Sequence, residues 1–172
     1  MNSPKRIFYF LSFLILTYSC KTRQLMDPVT SKQVEVTIDL VNVQDDKVRV
    51  TIDPGRFTGS QTTTFFIPNT VPGTYSMDNY YKFIEDVRAY NYLGNEITLT
   101  QNSDNSWIIV NSDDLDKITY WVNDSFDFEG EEGIFSPAGS NILEGENFLL
   151  NLHAFVGYFE NLEEQPYKLI IN

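Results

Sequence analysis

The chain has 172 residues, room for one domain with a sizeable core, because a domain near 150 residues buries roughly 70% of its unfolded surface. Its formal charge is −12, and a chain this acidic repels phosphate backbones, which argues against nucleic-acid binding. One cysteine, Cys20, excludes an internal disulfide, and one histidine, His153, with no H-E-x-x-H pattern, argues against a self-sufficient zinc hydrolase, whose site commonly takes two or three His ligands.

Residues 1–19 read as a signal peptide: Lys5 and Arg6 precede an apolar run over 7–16, too short for a spanning helix of about 20 residues. The run closes on Leu16-Thr17-Tyr18-Ser19-Cys20, which resembles a bacterial lipobox, although Thr17 stands where Leu is usual. The resemblance implies cleavage before Cys20 and its acylation, so that several acyl chains hold the domain on a membrane where a single chain binds only marginally. An ordinary signal peptide followed by a free Cys is the alternative. Without the leader, 24 acids face 10 bases, a balance suited to solubility in a periplasm or outside the cell. Residues 20–32 are polar and expected to form a flexible tether, and 33–172 the folded domain.

From there on, period-2 alternation dominates. Residues 33–41 place Val34, Val36, Ile38 and Leu40 on one face, Asp45-Asp46 turns the chain, and 47–53 places Val48, Val50 and Ile52 inward, as in a β-hairpin. Pro54-Gly55 ends the second strand, and 59–67 gives a third. Pro72-Gly73 supplies the preset φ and then the permissive one that a tight turn needs. After the aromatics Tyr75, Tyr80, Tyr81 and Phe83, the chain extends over 84–90 and is turned back by Asn91 to Glu96 around Gly94. Further strands are expected at 96–100, 107–110 and 117–123. This spacing of about ten residues per strand, with 15% aromatics, predicts an all-β fold, an antiparallel β-sandwich with one or two short helical turns, at 78–83 or near 148–155. Residues 124–145 are acidic, Gly-rich and irregular; 148–156 is the most apolar segment after the leader and reads as a central strand, with a last strand at 166–171.

The block from Phe65 to Ile97, with its strand, Pro72-Gly73-Thr74-Tyr75 turn, second strand and Gly94 turn, resembles the N-terminal domain of the M61 (glycyl aminopeptidase-like) zinc metallopeptidases. Trp107 and the Gly157-Tyr158 segment extend the resemblance to about residues 33–171. In that family a thermolysin-like catalytic domain carrying the zinc helix follows, often with a PDZ domain after it. The resemblance therefore implies a non-catalytic sandwich module, needing no cofactor, whose partner is a peptidase catalytic domain or a peptide. The alternative is a glycan- or protein-binding surface lipoprotein, which an exposed row of Tyr and Trp rings would favour.

Three groups of residues are candidates for more than scaffold. Tyr75, Tyr80, Tyr81 and Phe83 form either a core stripe or, if exposed, a docking patch, since contiguous apolar surface marks interfaces. Asp124, Asp127, Glu129, Glu131 and Glu132 could gather oxygens for Ca²⁺, but no EF-hand spacing is present and a solvated loop is the simpler reading. His153 has no second His to share a metal with, and Glu144-Gly145-Glu146-Asn147 reads as a turn before a strand.

Overall fold

A computed structural model of the chain describes residues 33–57, 61–73, 76–127, 134 and 136–172. The alternating segments form the strands expected of them. β1 (Val34–Gln44) and β2 (Lys47–Asp53) pair antiparallel with Val36 opposite Ile52 and Ile38 opposite Val50. Their connection is Asp45-Asp46, both left-handed at φ 50° and 54°, as a two-residue hairpin turn that follows the strands' twist requires. The chain continues through β3 (Thr62–Phe66), a 3-10 turn (Tyr80–Phe83), β4 (Ile84–Asn91), β5 (Glu96–Ile97), β6 (Leu99–Ser103), β7 (Ser106–Val110) and β8 (Leu115–Asn123). After these come β9 (Asn141–Leu143), β10 (Asn147–Leu149), the one-turn helix α1 (Leu152–Phe155), β11 (Tyr158–Phe159) and β12 (Tyr167–Ile171).

These strands make a six-stranded sheet in the order β12-β1-β2-β8-β4-β5, a four-stranded sheet β11-β3-β7-β6, and the hairpin β9-β10. Every pairing is antiparallel except β12 on β1, so the fold is an all-β sandwich whose larger sheet is mixed at one edge. Val34, Val36, Ile38, Val48, Val50, Ile52, Ile118, Tyr120 and Val122 point inward from the larger sheet. They meet Phe65, Ile67, Ile109 and Phe159 from the smaller, with Phe155 and Leu162 closing the space between. Phe65 sits at the centre, its ring 5.2 Å from Phe159 and 5.8 Å from Tyr120, within the range where aromatic pairs gain beyond simple area burial.

Two expectations are corrected. Residues 96–100 are not one strand: β5 pairs with β4 in the larger sheet, and the chain then crosses at Thr98 so that β6 pairs with β7 in the smaller. The 148–156 segment is not a central strand: β10 stops at Leu149, and Asn151 caps α1 by accepting the His153 N–H. A short apolar run fits a buried strand or a buried turn of helix equally well by periodicity, and here the cap decides. Among the described residues no helix is long and apolar enough to cross a membrane.

Candidate docking surface

Cys20 and Tyr75 lie outside the described residues. The other aromatics of the expected patch divide by position on the 3-10 turn. Residues i and i+3 eclipse in such a turn, so Tyr80 and Phe83 share one face, and that face is buried, at 0% and 1% exposure. Tyr81 packs partly against the core. The patch is thus corrected for Tyr80 and Phe83, which are core. Burial, with the nearby Asp78 carboxylate, pushes the Tyr80 hydroxyl up to about 12.

The acids gather beside this same turn, whose Lys82 and Phe83 line their cavity. Asp45, Asp46, Lys82, Glu85, Asn123, Asp124 and Asp127 line an open cavity of about 340 Å³. Most of its carboxylate capacity serves the fold. Asp124 Oδ1 accepts from the N–H groups of Phe126 (2.6 Å) and Asp127 (3.3 Å), and Oδ2 from Asn141 Nδ2 (3.1 Å) and the Ile142 N–H, so this buried side chain ties β8 to β9. Glu85 accepts from Lys47 Nζ at 2.8 Å and Asn123 Nδ2 at 2.9 Å; the Lys47 bond, then the Asn123 bond, hold its carboxyl below the ordinary value. Among the described residues no group of three or more His, Cys, Asp or Glu could hold a metal ion, and Glu129, Glu131 and Glu132 lie outside them.

A partly exposed apolar surface lies at the β12 edge of the larger sheet, and the sequence reading missed it. β12 runs parallel to β1 with Tyr167 beside Val34, Leu169 beside Val36 and Ile171 beside Ile38. Partners in a parallel register point the same way, so these three side chains face the core side. Yet Leu169 is 38% and Ile171 50% exposed, against 0–1% for the β1 residues beside them. Tyr167 packs partly against the core beside β11, but among the described residues the cover over Leu169 and Ile171 is incomplete. Val36, Tyr167 and Leu169 instead floor an apolar groove of about 330 Å³ walled by Leu152, His153 and Val156. A second hollow lined by Val156, Gly157, Tyr158, Glu163 and Tyr167 adjoins it through the shared Val156 and Tyr167. His153 therefore stands on the wall of an apolar groove. The alternation of Tyr167, Leu169 and Ile171 was visible in the sequence; that their strand would be an uncovered edge was not.

These features define an all-β sandwich domain with a closed aromatic centre and an apolar groove along one sheet edge. Residues 35–172 match the Peptidase M61 N-terminal domain family, and the chain belongs to that family. Among solved structures it is similar to an aminopeptidase N family protein from Idiomarina loihiensis, with a TM-score of 0.66 at 18% identity over 81% of this chain. The match covers 22% of that protein's chain, so the fold recurs there as about a fifth of a longer polypeptide. No curated protein matches the chain.

Proposed function

We propose that this domain breaks no bond itself and serves as the docking module of an M61-type peptidase, packing against a peptidase portion or holding a peptide in the cell envelope. The observation that carries the reading is the apolar groove along β12 and α1, where Leu169 and Ile171 on the core side of the larger sheet remain partly exposed. Membership of a peptidase family through its N-terminal domain supports it, as does the recurrence of the fold within a much longer aminopeptidase-family chain. We further propose that acylated Cys20 holds the domain on a membrane, facing the periplasm or the exterior, on the strength of the leader and the residues before the cysteine.

Purified protein assayed with aminoacyl and dipeptide substrates in the presence of added zinc tests the first part. The expected rate equals that of a heat-killed control, and turnover above it overturns the reading. For the anchor, membrane-fraction protein should carry a mass increment of acyl chains that the Cys20→Ala variant lacks; an unmodified cysteine would refute it.

A further inference from the structure

The backbone of β12 adds a requirement that the groove alone does not make. Val34 N–H donates to the Pro166 carbonyl at 2.9 Å, Asn172 N–H to that of Ile38 at 3.1 Å, and Leu40 N–H to that of Asn172 at 3.2 Å. The Pro166 carbonyl and the N–H and C=O groups of residues 168, 170 and 172 therefore turn toward β1. By the alternation of a strand, those of Tyr167, Leu169 and Ile171 turn outward. β12 is the last strand of its sheet, and among the described residues none pairs with its outer side. The same three residues carry the half-covered apolar side chains. Backbone donors and acceptors in a row, beside an apolar strip of the same period, fit one kind of occupant: another extended polypeptide.

Charge narrows the choice of polypeptide. Glu163 lines the hollow that adjoins the groove and Glu160 and Glu164 are exposed in the same connection, whereas Lys168 is held by Glu35 at 2.7 Å. A second copy would bring these acids, and a formal charge of −12, against their like. A strand with a basic end meets opposite charge there.

We propose that β12 is completed by strand addition: an extended segment of the docked peptidase portion, apolar at alternate residues and basic at one end, pairs with the outward backbone of Tyr167, Leu169 and Ile171. Its apolar residues fall into the groove over Leu169 and Leu152. This rests on the docking reading above and specifies where and how the docking occurs.

The test is residue-resolved amide exchange on the full chain, using as probe a synthetic eight-residue peptide with valine at alternate positions, threonine between them and two lysines at one end. Alone, the Leu169 and Ile171 amides should exchange at least tenfold faster than those of Lys168 and Ile170, which bond to β1. With peptide they should slow at least tenfold. The same peptide N-methylated on alternate amides, or with glutamates replacing the lysines, should bind at least tenfold more weakly. Leu169→Pro removes an outward N–H and leaves the β1 bonds in place, so it should abolish binding with the fold retained. Three results would overturn the proposal. The two amides stay unslowed under saturating peptide; they are protected by self-association as the protein is concentrated; or they are protected in the chain alone until residues 1–32 are removed. The docking reading fails by a different measurement, turnover by the domain itself, so the two can fall separately.

Discussion

Replacing Tyr120 by Phe removes one oxygen from the centre of the domain and should cost about 3 kcal/mol, for reasons that lie in two contacts. The Tyr120 hydroxyl donates to the Phe155 carbonyl at 2.6 Å and accepts the Gly157 N–H at 3.2 Å. It thereby fastens the chain between α1 and β11 onto β8. Phe keeps the ring, its volume and its approach to Phe65, so no cavity forms. What changes is that a carbonyl and an amide, both enclosed, lose their partner, at roughly 1–3 kcal/mol for each unsatisfied buried group. Tyr80→Phe is the comparison. Tyr80 is equally buried, but its hydroxyl lies 3.4 Å from both Asp78 Oδ2 and the Ala138 carbonyl, beyond good hydrogen-bond length, and its loss should cost below about 1 kcal/mol. Urea unfolding followed by tryptophan fluorescence measures both, with equal slopes confirming that only stability has moved. A Tyr120→Phe cost within about 0.5 kcal/mol of zero, or a Tyr80→Phe cost exceeding it, would refute the reasoning.

Three further outcomes are expected. Gly157→Ala should destabilise by about 3 kcal/mol or more, read by thermal unfolding, because the new methyl would overlap the Phe65 ring and lie 2.7 Å from the Phe66 carbonyl oxygen, which is backbone and cannot rotate away; an unchanged midpoint would contradict the packing. Asp124→Ala strips partners from the N–H groups of Phe126, Asp127 and Ile142 and should cost about 2–4 kcal/mol in the same urea assay, while Asp127→Ala stays within about 0.5 kcal/mol. Above pH 10 stability should fall, since burial raises Tyr80 to about 12 from an unfolded value near 10. The folded state then holds a proton that the unfolded state has released, and each pH unit between those values costs about 1.4 kcal/mol for such a tyrosine. Urea midpoints from pH 9 to 11.5 should show a slope that Tyr80→Phe reduces, and an equal slope in that variant would exclude Tyr80 as a source.

What could be read from the sequence was whatever a single strand or turn decides for itself. β1 and β2 follow from strict alternation and two aspartates that tolerate the left-handed region. The Gly94 turn follows from its own chemistry too: Asn91 Oδ1 accepts from Leu93 N–H at 3.0 Å and Asn95 N–H at 2.9 Å, and Gly94 takes φ 80°. The failures are places where a partner decides. Residues 96–100 have one pattern but two sheets to pair with, and crossing at Thr98 leaves no trace in periodicity. Tyr80 and Phe83 sit on a turn whose buried face is set by what packs over it, so an aromatic stripe could be named but not sided. The groove was the least legible. Tyr167, Leu169 and Ile171 look like any strand that expects cover, and only the structure shows β12 at the end of its sheet with Leu169 and Ile171 partly exposed.

That uncovered edge is consistent with how stability is distributed. The largest fully buried side chains of the described residues, among them Tyr120, Phe65, Phe155 and Phe159, sit on β8, β3, α1 and β11, while β12 adds to the core only the partly buried Tyr167. Leu169 and Ile171, 38% and 50% exposed, leave apolar area that a partner could still bury. An open edge is a hazard as well as a site, since it templates pairing with any strand that arrives. On the strand-addition proposal, charge holds the hazard down: Glu163 in the adjoining hollow and the −12 of the whole chain would oppose a second copy and favour a basic strand. Raising the salt concentration should therefore loosen that selectivity in a measurable way, weakening capture of the lysine-ended peptide and promoting self-pairing of β12 as screening shortens the reach of the acids to less than about 10 Å.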